Sequence, residues 1–368
     1  MGKNSRRAFV LMTLVGVVGS ATLGACGGGG DGSASDTTAV VAVDSETTVA
    51  PAIPTFPLLG TELTDPTVMT RPALAAKIDN HPAARPQIGL NSADIVFEEN
   101  VEKLTRFAAV FHSVGSDPVG PLRSGRTQDI DILGSFNKPL FAWSGGNSKV
   151  TNAINKSDIV NVGWSASKGK GGYGRDSSRK APHNLMARTT DLWTLSPEGS
   201  SAPPAQFIYR TSSDAMPATA TPIAGAKVSM DNVPVYWEWD GAKGLFMRSS
   251  LNSRRVLEPH NAITGETEEQ IGAHNVVVLY VKYEASAADP KSPEAQTVGT
   301  GVGYVLTNGS IIEVTWERTD RTLPFTLKDS SGTVVRMTPG RTWVLLARDK
   351  KLATVGAGVD PKTVDWPK

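Results

Sequence analysis

The chain has 368 residues, and its 37 lysines and arginines nearly balance its 36 aspartates and glutamates. Its 39% hydrophobic content is enough for one large domain or two ordinary ones, and the balanced charge gives no reason to expect a nucleic-acid partner. A single cysteine excludes intrachain disulfides and cysteine-based metal centres.

The N-terminus reads as a lipoprotein signal peptide over residues 1–25. Basic residues are followed by an apolar run over residues 8–21, which is shorter than the roughly 20 residues that span a bilayer. Leu23-Gly24-Ala25-Cys26 then resembles a bacterial lipobox, in which cleavage before the cysteine precedes its acylation, for example with palmitate. Cys26 is therefore the predicted lipidation site, and it would hold the protein at the outer face of the cytoplasmic membrane.

A second export signal overlaps the first. The segment from Ser5 to Leu11, SRRAFVL, resembles a twin-arginine motif, although Leu11 stands where that motif often has lysine. We expect export by the twin-arginine route, with the general secretory route as the alternative.

The remaining chain divides into four predicted segments. Residues 26–64 lack an amphipathic period and are rich in small and polar residues, which predicts a disordered tether. Residues 65–210 are predicted to form an α/β domain and residues 211–358 a β-rich domain, followed by a tail over residues 359–368. The predicted fold class is thus α+β, with a mixed α/β domain followed by a mainly antiparallel β domain.

In the N-terminal domain, strands alternate with short helices. The predicted strands are PALAAKID, ADIVFEE, TRFAAVF, PLFAWSG and DIVNVGW, and the predicted helices are RTQDIDILGSFN, SKVTNAINKS and LMARTTDLWTL. A basic, glycine-rich loop over residues 168–184 separates the last strand from the last helix, and its 168–180 part is predicted to form a lip over a binding cleft.

The C-terminal domain shows hairpin signals instead. Asp240-Gly241 and Asn308-Gly309 each lie between apolar runs, which favours tight antiparallel turns. The tryptophans at positions 237, 239, 316 and 343 fall in these β segments, so we expect them in the core rather than in an exposed row for glycan stacking.

The segment GPLRSGRTQD suggests an anion site. Arg123 and Arg126 flank Ser124 just before a predicted helix, so Ser124 could cap that helix while the arginines, with Arg106, hold a carboxylate or phosphate. The alternative is that these arginines pair with carboxylates of the chain itself, namely Asp79, Asp94, Glu98, Glu99 and Asp129.

The segment DNHPAARPQ offers further polar groups. Asn80 and Arg85 are candidate ligand-binding residues, and His81 could act as a general base near Glu98. His183 in APHN is a second candidate base. The alternative for DNHPAARPQ is a turn held by aspartate and asparagine side chains and by prolines. No tight histidine pair or HExxH motif occurs, and GKGGYG lacks the strand and helix of a dinucleotide site, so no metal or cofactor is predicted.

Several segments in chain order resemble the YerB-like lipoprotein family of bacteria: KIDNHPAARPQIGLNSADIVFEE, TRFAAVFHS, GPLRSGRTQDID, RKAPHNL, PHNAITGE and PGRTWVLL. The resemblance covers about residues 65–350. It implies an exported two-domain lipoprotein of unknown function, and it implies no cofactor or catalytic residue.

These patterns favour a membrane-anchored binding protein of the cell envelope. Its expected ligand is an anionic component such as peptidoglycan or another wall polymer, or a partner protein. The alternative is a hydrolase or transferase acting on peptidoglycan, with Glu98 as acid or base and His81 or His183 as its helper. In a third interpretation the β-rich domain docks another envelope protein.

Overall fold

The computed structural model describes residues 53–366, apart from residues 232, 253 and 349. These residues belong to one compact unit. The predicted signal peptide, Cys26 and most of the tether lie outside the described residues. No helix in the described part of the chain is both long and apolar enough to cross a bilayer.

Strands dominate the described chain. The helices are α1 (Gln128–Leu133), α2 (Ser148–Lys156) and α3 (Thr189–Trp193), with 3-10 helices η1 (Pro66–Thr70), η2 (Pro82–Ala84), η3 (Gly134–Phe136) and η4 (Pro361–Thr363). The strands are β1 (Leu74–Asp79), β2 (Gln87–Ile88), β3 (Ile95–Asn100), β4 (Thr105–Phe111), β5 (Leu140–Ala142), β6 (Val160–Asn161), β7 (Gly174–Arg175), β8 (Leu185–Met186), β9 (Thr221–Met230), β10 (Val233–Asp240), β11 (Leu245–Leu251), β12 (Leu257–Pro259), β13 (Asn261–Thr264), β14 (Thr267–Gln270), β15 (Gly272–Ala273), β16 (Asn275–Tyr280), β17 (Lys282–Ala285), β18 (Pro293–Gln296), β19 (Gly299–Thr307), β20 (Ser310–Arg318), β21 (Thr326–Asp329), β22 (Thr342–Ala347) and β23 (Leu352–Gly356).

One large sheet connects the two halves of the chain. Its order is β12-β11-β10-β9-β20-β19-β16-β22-β3-β4-β1-β5-β6. The halves meet where β22 pairs in parallel with β3, with Trp343 opposite Val96 and Leu345 opposite Glu98. Most of the remaining pairs are antiparallel, and the helices are few and short. The predicted α+β class, with a mixed first half and a mainly antiparallel second half, is confirmed.

The central strands are buried on both faces because their apolar runs are continuous. In β16, alternate side chains enter two separate cores: Val276 and Val278 lie in one, and Val277 and Leu279 in the other. We call these the front core, which contains Phe107, Trp237 and Trp343, and the back core, which contains Phe136, Phe141 and Trp316.

Different layers cover the two cores. Strands β9, β10 and β11 supply side chains to the front core, where the rings of Trp237 and Trp343 pack 5.5 Å apart. Helices α1 and α2 supply Ile132 and Ile154 to the back core. Trp237, Trp316 and Trp343 are buried and Trp239 packs against the front core, so the prediction of core tryptophans is confirmed.

A buried ion pair also joins the two halves. Arg248 of β11 donates from Nη2 to both carboxylate oxygens of Glu98 in β3, at 2.9 and 3.2 Å, and neither side chain is exposed. Thr105 Oγ1 and Trp343 Nε1 donate to the same carboxylate at 2.8 and 3.0 Å. A buried carboxylate requires such partners because desolvation of its charge is costly.

The boundary predicted for the disordered tether, residue 64, lies too late in the sequence, because residues 55–62 already belong to the folded part. Leu58 is fully buried, and Gly340 N donates to Leu59 O at 2.7 Å. Thr55 and Glu62 form an antiparallel β-bridge. At the other end, the predicted tail is also packed, because the ring of Trp366 lies 5.5 Å from that of Tyr236. The folded part therefore begins no later than the mid-fifties of the sequence.

Candidate functional site

Strand alternation divides the predicted site residues between the two faces of the sheet. Asp79 and Glu99 both lie opposite Arg106 in neighbouring strands, so these three side chains share the back face. Asn80 directly follows Asp79, and Glu98 directly precedes Glu99, so these two side chains point to the front face. The predicted residues thus form two separate groups.

In the front group, the side chains of Asn80 and Arg85 are hydrogen-bonded to other residues of the protein. Asn80 donates to Thr105 Oγ1 at 2.8 Å and accepts from Arg85 Nη2 at 3.0 Å, while Arg85 Nη1 donates to Ser250 Oγ at 2.7 Å. Burial and the nearby charge of Arg248 lower the pKa of Arg85 to about 10. These bonds make Asn80 and Arg85 parts of the interface between β11 and the N-terminal half. Arg85 also lines a cavity of about 370 Å³ with Glu258 and His260, and ligand binding by either residue stays a prediction.

Glu98 is unsuited to acid–base chemistry on a wall polymer. Its carboxylate is completely buried and bonded to Arg248, Thr105 and Trp343. The two histidines that were expected to assist it contact Asp79 instead, on the back face. The arrangement argues against the predicted Glu98-based hydrolase, and any acid–base role would fall to the pair of Asp79 and His183.

Asp79 is the centre of the back group. Its Oδ1 accepts from the backbone N of His81 at 3.0 Å, and its Oδ2 contacts His183 Nδ1 at 2.6 Å and Arg123 Nε at 3.4 Å. The rings of His81 and His183 stack with their centroids 4.1 Å apart. His81 also caps η2, because its Nδ1 accepts from Ala83 N at 3.1 Å. The predicted side-chain-bonded turn is confirmed.

A buried lysine neutralises the carboxylates beneath this group. Lys77 Nζ contacts Glu99 Oε1 and lies 2.7 Å from Asp129 Oδ1, with all three side chains fully buried. Burial and the adjacent charge of Asp129 raise the pKa of Glu99 to about 7. The carboxylates expected to pair with the arginines of GPLRSGRTQD are therefore taken largely by Lys77 and, on the front face, by Arg248.

The three predicted anion-binding arginines do converge, but they are not equivalent. Arg126 Nε donates to Glu102 Oε1 at 3.0 Å, and Arg106 Nη1 donates to Ser124 O at 2.9 Å. Burial and the neighbouring Arg126 charge lower the pKa of Arg106 to about 10, which leaves it cationic at neutral pH.

Arg123 keeps the most binding capacity. Its side chain is 26% exposed, and its shortest contact with Asp79 is made by Nε. Within residues 53–366 as described, neither Nη1 nor Nη2 of Arg123 has a hydrogen-bond partner. Two donors of a partly exposed guanidinium are thus open to an anion.

Ser124 does not cap a helix. Helix α1 begins only at Gln128, after the N-cap residue Thr127, and it has six residues. The predicted capping role of Ser124 is therefore wrong, because Gly125, Arg126 and the N-cap residue Thr127 separate it from the helix. Ser124 contributes its carbonyl oxygen to Arg106 instead.

The back group lies at the carboxyl ends of three parallel strands. Strand β5 pairs in parallel with β1 on one side and β6 on the other. Asp79 ends β1, and the loops that begin at Trp143 and Val162 follow β5 and β6. In open α/β sheets this edge is where ligands bind, because loops rather than paired strands form its surface.

The predicted lip over residues 168–180 contacts the His81 turn. Arg179 donates to Ala84 O and Pro86 O, each at 2.8 Å. Arg175 donates to Asn184 Oδ1 at 2.6 Å, and its guanidinium lies 4.8 Å from the ring of Trp164. These contacts place the loop beside His183. Over the described part of the chain, no cluster of three metal-ligating side chains occurs.

Comparison with known proteins identifies the family. Residues 58–201 match the N-terminal domain, and residues 225–344 the C-terminal domain, of the family described as "Protein of unknown function (DUF3048)". The chain belongs to this family.

One relative extends the match along the chain. The protein named "Putative lipoprotein YerB" of Bacillus subtilis (strain 168) is 28% identical over 312 residues, which cover 82% of this chain and 88% of the relative. The crystal structure of the YerB protein from Bacillus subtilis matches with a TM-score of 0.67 at 22% identity, covering 81% of this chain and 98% of that one. The two share a fold, and the predicted resemblance to the YerB-like family is confirmed.

The elevated pKa of Glu99 predicts a pH-dependent stability. Because the carboxyl binds its proton more tightly in the folded protein, its stabilising contribution is complete below its ordinary pKa of 4.5 and is lost as the pH rises through about 7. We expect Glu99→Gln to lack this loss, so the variant gains stability relative to wild type between pH 4.5 and pH 7.5. Urea unfolding at a series of pH values measures the difference. The exposed Glu284→Gln variant is the control, and an equal pH slope in wild type and Glu99→Gln would contradict the assignment.

Proposed function

We propose that this protein is a lipid-anchored component of the bacterial cell envelope that binds an anionic cell-wall component through Arg123. The proposal combines the lipobox-like cysteine, the name of the Bacillus relative and the open guanidinium on the back face. The observation that carries the binding role is the absence of a hydrogen-bond partner for Arg123 Nη1 and Nη2 among the described residues.

The sequence and the relative together support this location. Cys26 follows small residues and an apolar run, and the relative is named as a lipoprotein. Acylation of Cys26 would hold residues 53–366 at the outer face of the cytoplasmic membrane, within reach of wall polymers. Twin-arginine export through Arg6 and Arg7 remains part of this proposal.

The site suits a carboxylate or phosphate oxygen. Asp79 fixes the guanidinium of Arg123 through Nε, so less side-chain freedom is lost when an anion binds to Nη1 and Nη2. Arg106, held by Ser124 O, adds a second desolvated cation nearby. Such charge-assisted, two-pronged hydrogen bonds are the strong ones in proteins.

The local charge balance limits the ligand class. Four cations of the back group, Lys77, Arg106, Arg123 and Arg126, lie near four carboxyl groups, Asp79, Glu99, Glu102 and Asp129, of which Glu99 has a pKa of about 7. Because the net charge of this group is small, affinity depends on the donors of Arg123 more than on long-range attraction. We therefore propose a compact anion on a wall polymer, such as a stem-peptide carboxylate or a phosphodiester.

Removal of the guanidinium tests the binding site. We expect Arg123→Ala to weaken binding to purified wall fragments roughly 10- to 100-fold, the equivalent of one or two charge-assisted hydrogen bonds. Sedimentation of the protein with the fragments measures the affinity. The exposed Arg254→Ala variant removes the same charge elsewhere and is expected to bind like wild type. Equal binding by folded Arg123→Ala would exclude this site.

The anchor is tested separately. In the bacterial host, we expect the wild-type protein to partition with membranes and to begin at an acylated Cys26, while Cys26→Ser is neither acylated nor membrane-bound. Mass spectrometry of the N-terminal peptide reports the acyl chains, and cell fractionation reports the location. Wild-type protein that retains residues 1–25 and carries no lipid would contradict the proposed anchor.

A further inference from the structure

A neutral cavity adjoins the proposed anion site. It has a volume of about 280 Å³ and lies between the loops that follow β5 and β6. Its lining includes Gly145, Gly146, Thr151, Asn155, Trp164 and Ser165, and no charged side chain lines it. Pockets for drug-sized ligands begin at roughly 300 Å³, so this one suits a single small ring.

The walls of the cavity combine an aromatic surface with hydrogen-bonding groups. Trp164 lines the cavity and is partly buried; its indole packs against the front core, and the Arg175 guanidinium lies 4.8 Å from the ring. Asn155 accepts from Asn161 Nδ2 at 2.7 Å, and its own side-chain amide donor has no protein partner in the described chain. Apolar rings with a few polar groups are the usual means of recognising small polar molecules.

The loops that form the cavity are held in place by their own bonds. Asn161 Oδ1 accepts from Trp143 Nε1 at 2.8 Å and from Gly163 N at 3.0 Å. A side chain at position 163 would place its Cβ 2.5 Å from the Trp143 indole, so this close approach requires glycine. Gly145 has a φ of 118° and open space where a Cβ would lie, which leaves the entrance clear.

The cavity and Arg123 are neighbours in the fold. Ser144 N donates to Arg123 O at 3.0 Å, and Ser144 lies between two residues that line the cavity, Trp143 and Gly145. A ligand that occupies the cavity therefore lies beside the backbone of Arg123. Both features are at the same sheet edge, where the parallel strands end.

We propose that this cavity is the subsite for one sugar ring of an anionic glycan, whose carboxylate or phosphate group binds Arg123. The inference rests on the proposed function and narrows its ligand to a sugar that carries the anion. A pyranose has a C–H face that matches the indole of Trp164 and hydroxyl groups that match Asn155 and the loop backbone. The uncharged lining disfavours a charged peptide side chain in the same space.

The test compares simple anions with sugars that carry the same group. NMR titrations of wild-type protein would use acetate and glucuronate as the carboxylate pair, inorganic phosphate and glucose 6-phosphate as the phosphate pair, and glucose as the neutral sugar. We expect at least one sugar acid to bind tenfold or more tightly than its simple anion. The pair that shows the gain distinguishes a carboxylated from a phosphorylated glycan.

A variant whose side chain fills the cavity should lose the additional affinity for sugar acids. Ser165 is exposed at the cavity rim, so Ser165→Trp would occupy the space without disturbing the core, and Ser212→Trp makes the same change at a distant exposed serine. We expect Ser165→Trp to bind sugar acids no more tightly than simple anions, and Ser212→Trp to behave as wild type. Trp164→Ala should show the same loss as Ser165→Trp, and Trp164→Phe should keep part of the gain.

The outcomes separate the two proposals. Simple anions that bind wild type but not Arg123→Ala, with no additional affinity for either sugar acid, would overturn the sugar subsite and leave the anion site intact. A gain that persists in Ser165→Trp would also overturn the subsite. If neither simple anions nor sugar acids bind wild type, the proposed function itself fails.

Discussion

Two consecutive buried carboxylates, Glu98 and Glu99 at the end of β3, constrain the rest of the structure. Strand alternation sends them to opposite faces of the sheet, and neither can reach water. Each therefore needs a buried cation: Arg248 comes from the C-terminal half on the front face, and Lys77 comes from β1, on the far side of β4, on the back face. The pair with Arg248 aligns β11 over the front core, and Lys77 also holds Asp129 at the start of α1. Both layers that cover the sheet are thus tied to the same end of one strand.

This arrangement explains why a guanidinium remains open at the proposed site. Because Lys77 and Arg248 neutralise the buried glutamates, the arginines of GPLRSGRTQD have fewer carboxylates to bind. Arg126 pairs with Glu102, and Asp79 is shared between His183, the His81 backbone and one nitrogen of Arg123. Arg123 lies at the carboxyl ends of the parallel strands, and its backbone bonds to Ser144 beside the neutral cavity. Residues that the sequence presents as one motif therefore divide between structural pairing and the proposed anion site.

Local signals in the sequence predicted much of the fold. The Asn308-Gly309 turn joins β19 and β20 with both residues at positive φ, as hairpin turns of this type require, and the Asp79 turn forms as expected. Because side chains alternate along a strand, the sequence could also have predicted that Asp79 and Asn80 point to opposite faces of the sheet, as do Glu98 and Glu99. The parallel pairing of β3 with β22 and the choice of Lys77 and Arg248 as partners could not have been predicted in this way, because they join residues far apart in the chain. Helix α1 starts later than the position of Ser124 suggested, and the carboxylate of Asp129 accepts from Arg126 N at its first turn.

The unfolding free energy of the Arg248→Met variant tests most directly whether the ion pair of Arg248 and Glu98 holds the two halves together. Methionine keeps much of the side-chain volume but leaves Glu98 buried without its cation, so urea unfolding should show a loss of about 3–5 kcal/mol. The double variant Glu98→Leu with Arg248→Met removes both charges and should recover much of that loss, while the exposed Arg254→Met should change the stability by less than about 0.5 kcal/mol. An Arg248→Met variant as stable as Arg254→Met would contradict the view that this ion pair holds the two halves of the protein together.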